Sequence, residues 1–140
     1  MFDKIEKTDE EWRTLLEPDP YLVLRGAGTE RAFNGPYWDL KDAGTYVCGA
    51  CHLPLYASST KYDSGSGWPS YWAPLKQDHV TRNVDQSHGM VRTEAVCARC
   101  DSHLGHIFPD GPEPTGERHC INGHALKFVP EGEEAPSLVE

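Results

Sequence analysis

The sequence predicts a mainly β domain with short helices near its N-terminus. Two observations carry this. First, 13 glycines and 11 prolines among 140 residues cut the chain into short elements, which suits strands and turns better than long helices. Second, the apolar period changes along the chain. Residues 8–16 carry a helical period, and from Gly44 onward apolar and polar residues alternate between Gly and Pro breaks. The length is that of one domain, 1–140, able to bury a core without disulfide staples.

The elements follow in order. In "TDEEWRTLL" (8–16), Thr8 can cap a helix, with Glu11 completing a capping box. Trp12, Leu15 and Leu16 make one apolar face, and Pro18 and Pro20 are expected to end the helix. "YLVLRGAG" (21–28) reads as a second short helix, stopped at Gly26 or Gly28. "TYVCGACHLPLYAS" (45–58) reads as strand, knuckle, strand, and "TKYDSGSGWPS" (60–70) as a loop. "VTRNVD" and "MVRTEAV" form a hairpin with "QSHG" as its turn. "SHLGHIF", a long turn "PDGPEPTG", "RHCIN" and "ALKFV" come next. Residues 130–140, acidic and Pro-bearing, are expected to be a loose tail. No repeat beyond two CxxC units and no dividing linker is visible.

A net charge of −9, without a Lys/Arg cluster, argues against nucleic acid as a partner. No apolar run approaches membrane-spanning length, and "MFDKIEKTDE" does not read as a secretory signal. A cytoplasmic, monomeric protein with reduced thiols is expected, and there CxxC pairs read as metal or redox sites.

Cys48-x2-Cys51 and Cys97-x2-Cys100 can present four thiolates to one tetrahedral Zn²⁺, one ion per chain. Four sulfurs leave no open position, so the metal is expected to be structural. A redox role fits less well, since neither pair opens a helix in a βαβ setting. Cys120 has no near partner. A single Cys is most often a small buried hydrophobe. Here Arg118 and Asn122 would share its face of a strand, and a nearby cation lowers a thiol pKa. His103 and His106 read either as acid/base groups or as locally bonded or zinc-bound histidines. Trp68 and Trp72, on or beside a Gly-rich loop, read either as core or as an aromatic wall for a group such as methyl-sulfur.

"CGACHLPLY", "KYDSGSGWPSYW", "VRTEAVCARCDSHLGHIFPDGP" and "RHCINGHALKF" resemble the methionine-R-sulfoxide reductase family, the B type of methionine sulfoxide reductase. "KTDEEWRTLL" and "GTERAFNGPYWD" fit as well, so the resemblance covers residues 5 to 129. It implies two antiparallel sheets packed into a tent-like β-domain, with helices at the N-terminus and a remote structural zinc site made by the four paired cysteines. It implies Cys120 as the nucleophile, which takes the sulfoxide oxygen as a sulfenic acid. Trp68 matches the indole that cradles the S-methyl, and His103 and His106 the pair that binds and protonates the oxygen. Asn122 and Arg118 match polar groups around the thiol, and Asp110 an acidic residue of the same site. The substrate implied is the R epimer of methionine sulfoxide in peptides or proteins, as in repair after oxidative stress.

Two positions depart from the pattern. Many members carry a resolving cysteine where Ser66 stands. Serine cannot form the internal disulfide, so a one-cysteine cycle is expected, with thioredoxin, glutaredoxin or a small thiol as reductant. Many members also carry serine at the position of Gly123, and His124 beside it is expected to be an exposed strand-end residue. A zinc-stapled binding module and a thiol redox sensor are the competing readings. Neither accounts for Cys120, His103, His106, Trp68 and Asn122 occurring together.

Overall fold

A computed structural model describes residues 2–140. Helix α1 spans Asp9–Leu15 and begins with the expected capping box: the Glu11 amide donates to the Thr8 hydroxyl (3.1 Å), and the Thr8 amide to the Glu11 carboxylate (2.9 Å). Trp12 is fully buried and Leu16 packs on the core, but Leu15, expected on that face, is 54% exposed. Helix α2 spans Pro18–Leu24 and buries Val23 and Leu24. Pro18 and Pro20 therefore open this second helix. Residues of the first turn have no intrahelical acceptor for their N–H, so proline costs nothing there.

The nine strands among the described residues pair antiparallel throughout. Strands β1 (Gly44–Cys48), β2 (Pro54–Ala57) and β9 (Leu126–Pro130) form one sheet in the order β2-β1-β9. The other sheet runs β3-β4-β8-β7-β6-β5. Its strands are β3 (Lys61–Tyr62), β4 (Ser70–Tyr71), β5 (Val80–Asp85), β6 (Arg92–Cys97), β7 (His103–Phe108) and β8 (Arg118–Ile121). The 60–70 segment, expected to be loop throughout, holds β3 and the first residue of β4. Pairing of β4 with β8 sets Ser70 opposite Cys120, so the Gly-rich loop borders the thiol. Tyr46 and Leu55 of the first sheet, Tyr71, Leu104 and Ile121 of the second, and Trp12 of α1 form the core without solvent exposure. Each such side chain contributes about 1.5–3 kcal/mol by leaving water.

Two features depart from the pattern read in the sequence. Strand β7 carries one extra residue against β6: Ala95 pairs with Gly105, but Val96 with His103. On a regular strand residues three apart point to opposite faces. The bulge brings His103 and His106 to one face, ring centroids 5.4 Å apart. The second concerns the tail, expected to be loose. It has no strand or helix beyond Pro130, yet its end is tied down. The Val139 amide donates to the Cys51 carbonyl (3.0 Å), and the His52 imidazole to the Ser137 carbonyl (3.0 Å). Arg99 donates to the carbonyls of Asp3 (3.2 Å), Cys51 (3.1 Å) and Val139, joining both chain ends to one knuckle. Among the described residues, no helix is long and apolar enough to cross a membrane.

Candidate active site and metal centre

Cys48 ends β1 and Cys97 ends β6, so the two knuckles belong to different sheets. They are built alike. The residue after each pair, His52 or Asp101, has positive φ (71° and 61°) and donates its amide to the carbonyl of the first cysteine (2.9 Å in both). The four sulfurs are buried and lie within 4.8 Å of one another. Cys48 and Cys100 Sγ are 3.7 Å apart, Cys51 and Cys97 Sγ 3.6 Å. Bonds of about 2.3 Å to a tetrahedral zinc would separate the sulfurs by about 3.8 Å. The donor set can therefore hold one metal ion across the two sheets, and it suits zinc.

Cys120 sits mid-way along β8, half-buried at the base of a cleft of about 380 Å³. The alternation of β8 places Arg118 and Cys120 on that face, and Asn122 follows them into the lining. Trp68 also lines the cleft, its indole N–H donating to the Glu30 carbonyl (3.0 Å). His106 pairs directly with Cys120 across β7 and β8 and also lines the cleft. Trp72 stands outside it.

The remaining two residues named from the sequence lie one layer away. His103 is 6% exposed and packs behind His106. The Asp110 carboxylate is largely in solvent and receives two hydrogen bonds from Arg118, at 2.9 and 3.2 Å. Asp110 thus faces the cleft only through Arg118, whose guanidinium also lies over the Phe108 ring at 4.3 Å.

Both histidines are oriented by carboxylates that sequence reading missed. His106 Nε2 is 2.6 Å from Asp85 Oδ2, and His103 Nδ1 is 2.6 Å from Glu94 Oε2. The hydrogen bonds from His106 and Ser87 hold the Asp85 carboxyl well below the usual range, so it only accepts. The His106 proton therefore sits on Nε2, which leaves Nδ1 as the basic nitrogen. Burial is the main cause lowering the His106 pKa, and Arg92 and His103 add to it, so the ring is neutral at neutral pH. Arg92 lines the cleft beside Asp85 (3.4 Å). The signal that could have found these groups is strand register: Glu94 lies opposite His106, and Arg92 opposite Asp85.

Arg118 does lower the Cys120 pKa, as expected from its place on the strand, but the net shift is upward. Burial raises the pKa, and this outweighs the downward pull of Arg118 and of the Ser66 hydroxyl; Glu30 and Asp110 push it further up. The resting thiol is protonated. Ser66 borders the same cleft, and its hydroxyl is bonded to Ser64 Oγ (2.7 Å), which reaches Ser70 Oγ (2.7 Å). His124 belongs to a short 3₁₀ turn, Gly123–Ala125, and is half-buried. Gly123 faces the Pro36 backbone: a Cβ there would overlap the Pro36 carbonyl oxygen and lie 2.8 Å from its carbon.

Residues 16–130 match the family model described as the SelR domain. Curated relatives include three proteins called peptide methionine sulfoxide reductase MsrB. That of Hahella chejuensis is 56% identical over 126 residues, covering 90% of this chain and 91% of its own. That of Agrobacterium fabrum is 56% identical over 127 residues, covering 91% and 94%. That of Pseudomonas putida is 58% identical over 127 residues, covering 91% and 96%.

Proposed function

This chain belongs to the SelR-domain family of MsrB-type peptide methionine sulfoxide reductases, and on that premise we propose how its own residues carry the reduction. The enzyme is an oxidoreductase acting on methionine-R-sulfoxide. The Cys120 sulfur attacks the sulfoxide sulfur while the sulfoxide oxygen takes up a proton. The oxygen then passes to Cys120, leaving methionine and a sulfenic acid. Methionine sulfur gains two electrons and cysteine sulfur loses two, so thiol plus sulfoxide gives sulfenic acid plus thioether. Two external thiols return Cys120 to its reduced form, releasing water and a disulfide.

A protonated resting thiol fits this reaction. The proton that must leave sulfur is the one the oxygen needs, and His106, which lines the cleft and whose Nδ1 is not engaged by Asp85, is the base that can carry it across. His103 supports His106 from behind. Asn122 and Arg118 offer donors to the oxygen, and the Trp68 indole offers an apolar wall to the methyl. A sulfoxide of the other hand would place oxygen on indole and methyl on donors. That asymmetry accounts for selection of the R epimer.

The observation that carries the proposal is the convergence of Cys120, His106, Asn122, Arg118 and Trp68 on one cleft. Ser66 in that same cleft supports the one-cysteine cycle, because the four remaining cysteines are buried together in the separate four-sulfur cluster. One zinc per chain has a structural role there, since four thiolates saturate it. Thioredoxin, glutaredoxin or a small thiol serves as reductant in the cytoplasm, and the enzyme acts as a monomer on peptides and proteins. The test is Cys120→Ser assayed on separate R- and S-sulfoxide peptides with excess dithiothreitol. Activity on R alone in the wild type, and none in the variant, is expected; substantial activity in the variant would remove Cys120 from the reaction.

A further inference from the structure

Glu30 lies outside the cleft lining, yet both cleft walls hang on it. It is 8% exposed, on the segment that follows α2. Its carbonyl accepts the Trp68 indole N–H at 3.0 Å. Its amide donates to Asn122 Oδ1 at 3.0 Å, while Asn122 Nδ2 donates to the Leu104 carbonyl at 3.0 Å, which fixes the orientation of that amide. Its carboxylate oxygen Oε1 accepts the His124 amide at 2.8 Å and so closes the turn that follows Asn122. The other oxygen, Oε2, is buried without a partner against Gly35, where any side chain would overlap it.

Burying a carboxyl is expensive, and here the amides of His124 and Gly123 and the nearby His124 imidazole offset that cost only in part. Burial raises the Glu30 pKa, in keeping with a neutral acid. A group kept at that cost, with its main chain and side chain each holding one part of the site, has a job beyond filling space. Resting on the reading of the cleft as the sulfoxide site, we propose that Glu30 is a positioning residue that sets the distance between the indole wall and the amide wall. Trp68 and Asn122 would grip the methyl and oxygen sides of one sulfur centre, so their separation decides whether the substrate sits within reach of Cys120. A misplacement near 1 Å costs about 100-fold in such a site.

The carboxyl can be altered while the two main-chain bonds stay. Glu30→Gln keeps the length and an acceptor for the His124 amide, and mimics the neutral acid. Glu30→Ala removes the acceptor, and Glu30→Asp withdraws it by one methylene. With an R-sulfoxide peptide, Gln should keep kcat/KM within about threefold of wild type, while Ala and Asp should lose about tenfold or more, chiefly as a raised KM. Zinc content and the rate of Cys120 alkylation by iodoacetamide should stay within about twofold, since a general loosening of the fold would expose the thiol. Wild-type-like kinetics in Ala, or Asp matching or exceeding Gln, would overturn the proposal. If Ala does not fold, the Gln-to-Asp comparison decides alone. A wild type inactive on the peptide would instead remove the sulfoxide reading itself.

Discussion

Replacing Gly123 by alanine tests the packing behind the cleft. A Cβ at this position would overlap the Pro36 carbonyl oxygen, lie 2.8 Å from the Pro36 carbonyl carbon and 3.0 Å from its Cδ. Real Cβ contacts to such atoms begin above 3 Å, and neither neighbour is the tip of a flexible side chain. Pro36 cannot simply withdraw, because Gly35 before it already abuts the Glu30 carboxylate. The 3₁₀ turn must shift instead, and overpacking of this kind costs about 1–3 kcal/mol. At about 2.1 cal/mol/K per residue, a chain of this length has an unfolding entropy of about 0.3 kcal/mol/K. The melting temperature should therefore fall by about 3–10 °C. Asn122 precedes the shifted residue, so KM for an R-sulfoxide peptide should rise as well. Thermal melting by circular dichroism and steady-state kinetics on the same preparation check both. A melting temperature within about 1 °C of wild type (about 0.3 kcal/mol), with unchanged KM, would show that the turn and Pro36 separate freely and refute the reasoning.

Four further outcomes are expected. Chelation, or Cys97→Ser, should release about one zinc per chain and unfold the protein, since structural zinc contributes about 10–16 kcal/mol against a net stability of about 5–15 kcal/mol; a zinc-free protein melting at the same temperature would contradict this. Ser66→Cys should form a disulfide with Cys120 after one turnover, seen as a loss of two hydrogens by intact mass, because Ser66 borders the thiol. Alkylation of Cys120 should reach half its maximal rate above the pH typical of free cysteine, and Arg118→Ala should move that midpoint higher, since it removes the cation that pulls the thiol down. Hydrogen bonds from Arg82 hold the Glu117 pKa down to about 2, with His119 adding to the effect. Its stabilisation is thus present above the unfolded value and lost as pH falls from about 4.5 toward 2, so Glu117→Gln should flatten the acid-denaturation curve in that window.

The features legible in the sequence are those written in local pattern. The capping box of α1, the two knuckles and the β5–β6 hairpin all follow from spacing and turn chemistry. Alternation in "RHCIN" puts Arg118, Cys120 and Asn122 on one face, and the cleft lining matches. Pro18 and Pro20 mislead because proline both stops one helix and starts the next, and only the register of α2 separates these uses. Leu15 keeps the helical period yet faces solvent, because α1 is too short to bury a full stripe. His103 and His106 share a face through a bulge that no strand pattern announces. Asp85, Glu94 and Glu30 act through partners 21, 9 and 92 residues away, and their charge alone reads as ordinary surface. The tail looks loose in sequence for the same reason: its ties run to Arg99 and Cys51.

The central claim is that Cys120 takes the oxygen and that no cysteine of this chain resolves it. Intact mass after a single turnover without reductant tests it directly. Reduced protein is mixed with an R-sulfoxide peptide, then with a sulfenic-acid trap. The account predicts one methionine formed per chain and one trap adduct on Cys120, with zinc retained. Loss of two hydrogens accompanied by zinc release would contradict it, because a knuckle cysteine would then have closed the cycle.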